Sequence, residues 1–329
     1  MTRIGLQIPN FTYPESDEPL FERVAAVAVA AEQSGFDTVF VMDHFFQLPL
    51  LGPPELEMFE AYTLLGGLAS RTQSARLGTL VTGVTYRNPA LLAKAVTALD
   101  VISNGRALLG IGAAWFEPEH ESLDVPFPPV AERFERLEDA LNICNGMFTQ
   151  RQTTYVGKHH SVTDAWNSPA PVTPGGPPIL VGGTGEKKTA RLAARYADDW
   201  NCNANFVELP RKLAALDGHL ADVGRGRDEI TVTCLSSIVV GDTHAEAAGK
   251  LAAMLRARGV DDPDPIVGDP EVRHQVLPRL LFGDPDEVVA QVQELVAVGL
   301  DGVVVNMPVD GHDPSAVRLA GETLTKALG

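Results

Sequence analysis

The sequence predicts an α/β chain closed into a (β/α)8 barrel with insertions, and three observations carry that prediction. Strand-like and helix-like segments alternate along the whole chain, which implies parallel strands joined by right-handed crossovers. The alternation gives eight strands, the number that closes a barrel rather than leaving an open sheet. No composition break resembles a linker. The 329 residues, which at ~150 residues per domain suggest about two domains, therefore fit a single domain over 1–329: one barrel of ~250 residues plus insertions. An open doubly wound sheet is the alternative architecture.

The elements follow in order. Residues 3–9 alternate and then run apolar, as a strand does; residues 19–34 are Ala-rich and helical, with Gly35 placed to stop the helix. Residues 37–42 are a β-branched apolar run and form the second strand. Residues 59–71 read as helix and 75–82 as strand. Asn88 caps the next helix and Pro89 takes its first position; the helix runs to Ser103, before Gly105. Residues 107–112 are the fourth strand. In the following helix Phe134, Leu137, Leu141, Cys144 and Phe148 fall on one face. The second half repeats the pattern with strands at 179–182, 198–202, 230–240 and 302–306. Thr243 with Glu246, and Asp284 with Glu287, form capping boxes for two helices. Two stretches fall outside the alternation. One, near 150–178, is a hairpin around Gly157 and Lys158 followed by a Pro-rich loop. The other, near 259–283, is rich in Pro and Asp and is expected to be partly mobile.

Charge excludes several partners. There are 26 Lys+Arg against 43 Asp+Glu, a net charge of −17. A nucleic-acid binder needs a basic stripe to release counterions from phosphates, and a polybasic membrane binder needs the same cations. No apolar run approaches the ~20 residues of a transmembrane helix, and the first ten residues are too interrupted for a secretory signal. Cys144, Cys202 and Cys234 are scattered, which fits a reduced cytoplasm better than a disulfide framework.

Several motifs fail. Gly110-Ile111-Gly112 tempts toward a dinucleotide fingerprint, but Trp115 holds the third glycine position, no helix is expected to open there, and the unit is fourth rather than first. No phosphate-binding GxxxxGK[ST] loop, HxH pair, HExxH helix or GxSxG elbow occurs, and no metal site is predicted. His159 and His160 belong to a surface hairpin.

Four motifs survive, each at a predicted C-terminal strand end, where such barrels carry their chemistry. Asp43-His44 follows the second strand: a carboxylate and an imidazole that bind a polar ring edge or move a proton, or else a turn cap and a structural histidine. Residues 77–83 are small enough to let a flat ligand approach the backbone, though an ordinary buried strand looks the same. Residues 110–115 end in Ala113, Ala114 and Trp115, which suit a stacked ring or tight packing equally. Residues 181–188 place glycines before a helix, where free N–H groups attract anions, with Lys187 and Lys188 adding charge.

In this order the four motifs, together with Tyr86-Arg87-Asn88-Pro89 and Ser103-Asn104-Gly105-Arg106, resemble the bacterial-luciferase-like monooxygenase superfamily. Within it they resemble the coenzyme F420-dependent oxidoreductases of actinobacterial type. The resemblance runs from Ile4 to Asn306 and implies a TIM barrel with insertions. It implies a deazaflavin ring at the C-terminal mouth over Leu80, Val81 and Thr82, with a non-proline cis peptide at Leu80–Val81. Asp43 would lie beside the ring system, and His44 would transfer a proton or contact the cofactor. Ala113, Ala114 and Trp115 would touch the cofactor, and Gly182, Gly183 and Thr184 would hold its phosphate. One departure stands out: Trp115 occupies the place of a glutamate, a proposed acid/base group, in the sugar-phosphate dehydrogenase branch, which argues against glucose 6-phosphate oxidation, with Glu117, Glu119 and His120 following closely enough to substitute in part. The implied function is hydride transfer between F420 and a small organic substrate. The alternatives are a monooxygenase using reduced FMN and O2, a flavin- or deazaflavin-binding barrel without turnover, and, remotely, a metal-dependent hydrolase. Relatives commonly pair as homodimers.

Overall fold

The computed structural model describes residues 3–329. The chain begins with β1 (Arg3–Ile8), α1 (Leu20–Gln33), β2 (Thr38–Val41), α2 (Ala61–Ala69) and β3 (Arg76–Thr79), which resumes as β4 (Thr82–Gly83). Next come α3 (Pro89–Ser103), β5 (Ala107–Gly112), α4 (Glu117–Ser122), α5 (Val130–Thr149) and a hairpin, β6 (Gln152–Val156) with β7 (Ser161–Trp166). The second half holds β8 (Ile179–Gly182), α6 (Thr189–Tyr196), β9 (Asp199–Asn201), α7 (Leu209–Val223), β10 (Thr231–Val240) and α8 (His244–Ala257). It ends with α9 (Asp264–Gly268), α10 (Pro270–Val276), β11 (Leu280–Gly283), α11 (Pro285–Val298), β12 (Gly302–Asn306) and α12 (Pro314–Leu328).

Eight strands close the predicted barrel. The order β1-β2-β3-β5-β8-β9-β10-β12 returns to β1, every pairing is parallel, and β4 continues the third strand against β5. The strands' outer faces and the helices share the main core, from Leu6 and Val39 to Val305 and Leu324. Inside the ring, Phe40, Leu80, Leu108, Leu180 and Val304 form a separate plug. Gly5 leaves the room that plug needs: a Cβ there would meet Phe40 at 2.9 Å.

Side chains cap six of the twelve described α-helix starts. The Asn88 side chain accepts from the Ala90 and Leu91 amides, and Asp284 with Glu287 forms a full capping box. The Thr243–Glu246 box is only half made. Thr243 caps the Glu246 amide, but the Glu246 carboxylate reaches one residue further back, to the Asp242 N–H. The helix not expected after Trp115 exists: α4 is a single short turn and a half, opened by Pro118 within its first turn. His159 and His160 lie in the hairpin turn, not on a strand, and both their amides donate to the Asp139 carboxylate.

Residues 259–283 are not a plain loop. They hold α9, α10 and β11, which adds to the outer half of β10 off the ring. With α8 they enclose a small core of their own, Val239, Leu251, Leu255 and Phe282 among it, so the excursion begins before 259. The neighbouring α11 packs on α12 as a barrel helix. Among the described residues no helix is long and apolar enough to cross a membrane, and no group of three His, Cys, Asp or Glu side chains is placed to hold a metal.

Candidate active site

The C-terminal end of the barrel is hollow. A cavity of about 750 Å³ opens there, and of the residues expected at the site Asp43, His44, Leu80, Val81, Ala113, Ala114, Trp115, Gly182, Gly183 and Thr184 all line it. Thr82 does not. Its side chain is fully buried behind the strand, hydrogen-bonded to Tyr62 Oη at 2.8 Å and Thr79 Oγ1 at 3.0 Å. Strand alternation turns it away from the face that Val81 presents.

The floor is built by close backbone approach. Leu80–Val81 is a cis peptide; the Leu80 N–H donates to the Val41 carbonyl, and Gln7 Nε2 donates to the Leu80 carbonyl at 2.9 Å. Val81 projects against two glycines. A Cβ on Gly182 would lie 2.7 Å from Val81 Cγ1, and one on Gly112 would lie 2.9 Å from Val81 Cγ2. Side chains at either glycine would close the floor. Ala114 adopts a positive φ of 60° and turns the chain out of β5 at the cavity edge.

The glycine loop after β8 differs in one respect from the anion site expected of it. The Gly183 N–H is taken by the Asn201 carbonyl at 3.1 Å, and its carbonyl accepts from Trp200 Nε1 at 3.0 Å. Gly183 is thus fastened to β9, leaving Thr184 and Gly185 to face the cavity. Lys188 Nζ sits 5.2 Å from the centre of the Phe134 ring, and Glu186 is paired with Lys212 at 2.9 Å.

Two buried carboxylates organise the opposite wall. Asp43 Oδ1 accepts from Arg87 Nη2 at 2.6 Å, and the same guanidinium reaches Glu60 at 2.8 Å. Asp43 Oδ2 is buried with no hydrogen-bond partner. Burial pushes the Asp43 carboxyl up, against the opposing pull of the Arg87 charge. Glu119 is buried too, yet every lone-pair direction is used. Its Oε1 accepts from the Phe45 and Phe46 amides, the latter at 2.9 Å; its Oε2 accepts from Tyr86 Oη and His44 Nδ1, the latter at 2.9 Å. Burial works to raise its carboxyl, but these hydrogen bonds from His44, Tyr86 and Phe45 hold it below the usual carboxylate range.

The consequence for His44 is orientation. With Nδ1 directed at a carboxylate, Nε2 is the nitrogen left for the cavity, in the arrangement that makes an imidazole a proton carrier. Trp115 and Phe116 flank the ring edge-on at 6.0 and 5.9 Å. His120 supports the same cluster. Its Nδ1 meets the Phe116 carbonyl at 2.8 Å, its Nε2 meets Thr85 Oγ1 at 2.6 Å, and its ring stacks on Tyr86 at 4.5 Å.

Sequence reasoning reached Asp43 and His44 but not their partners. Arg87 and Tyr86 appeared only inside a motif, and Glu119 only as a neighbour of Trp115. Gln7, Asn201, Asn203, Arg279 and Asn306 also line the cavity; the last four share no spacing that would have gathered them. The one weak signal was Glu119 and His120 side by side just past the fourth strand end, where side chains point into the mouth.

A barrel hollow at this end, with an oriented imidazole at the rim, belongs to the class of (β/α)8 enzymes that hold an organic cofactor against a glycine-lined floor. The comparisons place it further. Residues 2–302 match the model of the luciferase-like monooxygenase family. An F420-dependent glucose-6-phosphate dehydrogenase of Microbacterium testaceum is 30% identical over 318 residues, 91% of each chain. Two solved structures share the fold. The coenzyme F420-dependent tetrahydromethanopterin reductase of Methanopyrus kandleri superposes with a TM-score of 0.80 at 19% identity, covering 100% of this chain and 99% of that one. A monooxygenase of Streptomyces bottropensis superposes with a TM-score of 0.80 at 20% identity, covering 99% and 100%. The chain belongs to the luciferase-like monooxygenase family.

Proposed function

We propose that this protein is an oxidoreductase that transfers hydride between coenzyme F420 and a small organic substrate, at a carbon bearing a hydroxyl or carbonyl oxygen. The observation that carries this is the His44–Glu119 pair, an imidazole oriented by a buried carboxylate beside a cavity whose floor is Val81 between two glycines. F420, when bound, supplies a two-electron hydride centre; this chain's residues supply position and proton control. The Leu80–Val81 backbone, with Gly112 and Gly182 packed against the Val81 side chain, offers a low apolar surface that fits a ring system. The unpartnered Asp43 Oδ2 offers an acceptor to a polar ring edge, and Ala113, Ala114 and Trp115 bound its side. Gly182, Gly183 and Thr184 would hold the phosphate, with Thr184 and Gly185 presenting the donors that Gly183 does not. His44 Nε2 takes or returns the proton of the substrate oxygen, and Glu119 positions it.

The name of the Microbacterium relative supports F420 over FMN. Catalysis is expected to involve the whole barrel, insertions included, because cavity residues run from Gln7 to Asn306. A cytoplasmic location fits three buried free cysteines. A homodimer fits the outer face of α3, which leaves Leu91 and Ile102 exposed. Titration with F420 and with FMN, followed by fluorescence and absorbance, tests the cofactor. Micromolar F420 affinity is expected; micromolar FMN affinity with no F420 binding overturns the proposal.

A further inference from the structure

Beside the main cavity lies a second, smaller one of about 80 Å³. It sits between the loops that follow β1 and β12, and Arg258, the residue that ends α8, stands at its solvent edge. Gln7, Pro9, Leu51 and Asn306 line both cavities, so the two share a wall. None of the residues assigned to the cofactor lines the smaller one.

The polar lining of this chamber is rich in donors that the protein itself does not use. The Tyr13 hydroxyl is buried with no hydrogen-bond partner. Burial pushes its phenol up to about 12, against the pull of the Arg23 charge, so it stays an O–H donor. Asn306 Oδ1 accepts from the Ser237 hydroxyl at 2.8 Å, which leaves the NH2 of that amide. Among the described residues the Arg258 guanidinium and the His312 ring nitrogens have no hydrogen bond or ion pair; the His312 ring packs against Tyr13, centre to centre 5.9 Å. No described Asp or Glu lines the chamber, although acids outnumber bases 43 to 26 in the chain. Asp310, in the same loop as His312, is paired with Lys250 at 3.0 Å. Burial lowers the Arg258 guanidinium from its ordinary value, with no carboxylate opposing it.

Water matches such a lining poorly. About two or three waters fit, at ~30 Å³ each, and they accept from these donors but need acceptors for their own hydrogens. An oxyanion accepts from every donor and donates nothing, and a guanidinium meets a carboxylate or phosphate with two parallel N–H groups. We propose that the chamber is a second binding site, for one small oxyanionic group, a carboxylate or a phosphate, held by Arg258 together with Tyr13, His312 and Asn306. The assignment does not depend on the cofactor. The group is either a free ion or the end of a longer molecule whose body lies in the main cavity, across the shared wall.

The test uses the whole chain without cofactor, at an ionic strength held constant with chloride. Acetate, hexanoate and inorganic phosphate are titrated in by calorimetry, and saturable binding is expected. Arg258→Met should weaken it roughly tenfold to a hundredfold, the range for a hydrogen-bonded charge, Arg258→Lys less, and Tyr13→Phe roughly twofold to tenfold. Arg279→Met, a control in the main cavity, should leave acetate and phosphate binding unchanged, and so should loading with F420. Hexanoate that binds more tightly than acetate, with a change in tryptophan emission that Trp115→Phe abolishes, assigns the group to the end of a longer molecule. Equal affinities without that change assign a free ion. No saturable binding of any of the three overturns the proposal. So does binding indifferent to Arg258→Met, or acetate and phosphate binding lost in Arg279→Met or on F420 loading. If F420 fails to bind while the Arg258-dependent anion does, the cofactor assignment falls and the chamber stands.

Discussion

The two ends of this barrel bury charge in opposite ways. At the N-terminal end Arg3, Asp37, Arg76 and Asp199 surround a space of only about 20 Å³; at the C-terminal end Asp43, His44, Arg87 and Glu119 surround or adjoin about 750 Å³. The carboxylates differ by the donors they meet rather than by burial alone. Asp199 has Arg3 Nε no nearer than 3.9 Å, and burial pushes its carboxyl up to about 6. Asp43 has a guanidinium at 2.6 Å on one oxygen and no partner at hydrogen-bond geometry on the other, with the Thr82 hydroxyl close enough to oppose burial in part, and it too is raised. Glu119, with four donors, is the one held down. Burial disfavours the charged form until enough hydrogen bonds reverse it, and of these three only Glu119 has them. A carboxylate held toward its ionised form is what a neighbouring imidazole needs for a fixed orientation.

The largest effect that breaks this comparison is at His44. His44→Ala is expected to lower kcat about 10²- to 10⁴-fold, the range for loss of a positioned acid–base group, while F420 affinity by fluorescence titration changes little. Glu119→Gln is expected to cost less, roughly tenfold to a hundredfold. The amide has one acceptor oxygen. If it serves the Phe45 and Phe46 amides, its NH2 faces His44 Nδ1 and selects the wrong tautomer. Cofactor affinity separates this from damage to the site: Glu119→Gln is expected to bind F420 as the parent does, by fluorescence titration, while kcat falls. Loss of both together would mean that Glu119 only supports the loop.

That pair also shows what could be read from residues in order and what could not. Eight strands and the Asn88 and Asp284 caps followed from local patterns, because periodicity and capping act over a few residues; the Leu80–Val81 position came only from the family resemblance. His44 and Glu119 are 75 residues apart, and Asp43 and Arg87 are 44 apart. Contacts of that span depend on the path of the whole chain around the ring, which no spacing rule encodes. Thr82 lies off the cavity for a smaller reason: next to Val81 in the strand, it faces the other way, toward Tyr62 and Thr79. The strand β11 was hidden by the Pro and Asp around it, although its four residues are apolar enough to add to β10.

The next effect is on stability. Arg87→Met removes the cation from Asp43 while leaving the carboxylate buried, and the expected loss is about 3 kcal/mol, at the low end for breaking a buried pair because Arg87 is part-exposed. The sign with pH follows from Asp43. Its folded-state value already lies above the unfolded one, so its contribution is intact below the unfolded value and is lost as pH rises through the folded value. Without Arg87 that value rises further, so urea unfolding of Arg87→Met should fall furthest below the parent near neutral pH and approach it in acid. A deficit independent of pH would place the loss in packing against Tyr62 and Phe45 instead.

The smallest expected effect is at the closed end, and its sign is opposite. Asp199, raised from 3.8 to about 6, carries a charge that the folded state disfavours. Its contribution is therefore complete below pH 4 and declines as pH rises to about 6. Asp199→Asn removes that charge, so the variant should match the parent in acid and exceed it by up to roughly 2 kcal/mol at neutral pH, taking about 1.4 kcal/mol for each tenfold change in proton affinity and allowing for the weakened link to Arg3. Unfolding midpoints across that range check it, and kcat should not move, since the residue lies at the end of the barrel where packing rather than chemistry is decided. If Asp199→Asn instead lowered stability at neutral pH, the Arg3 ion pair would outweigh burial, and the two ends of the barrel would handle their carboxylates alike.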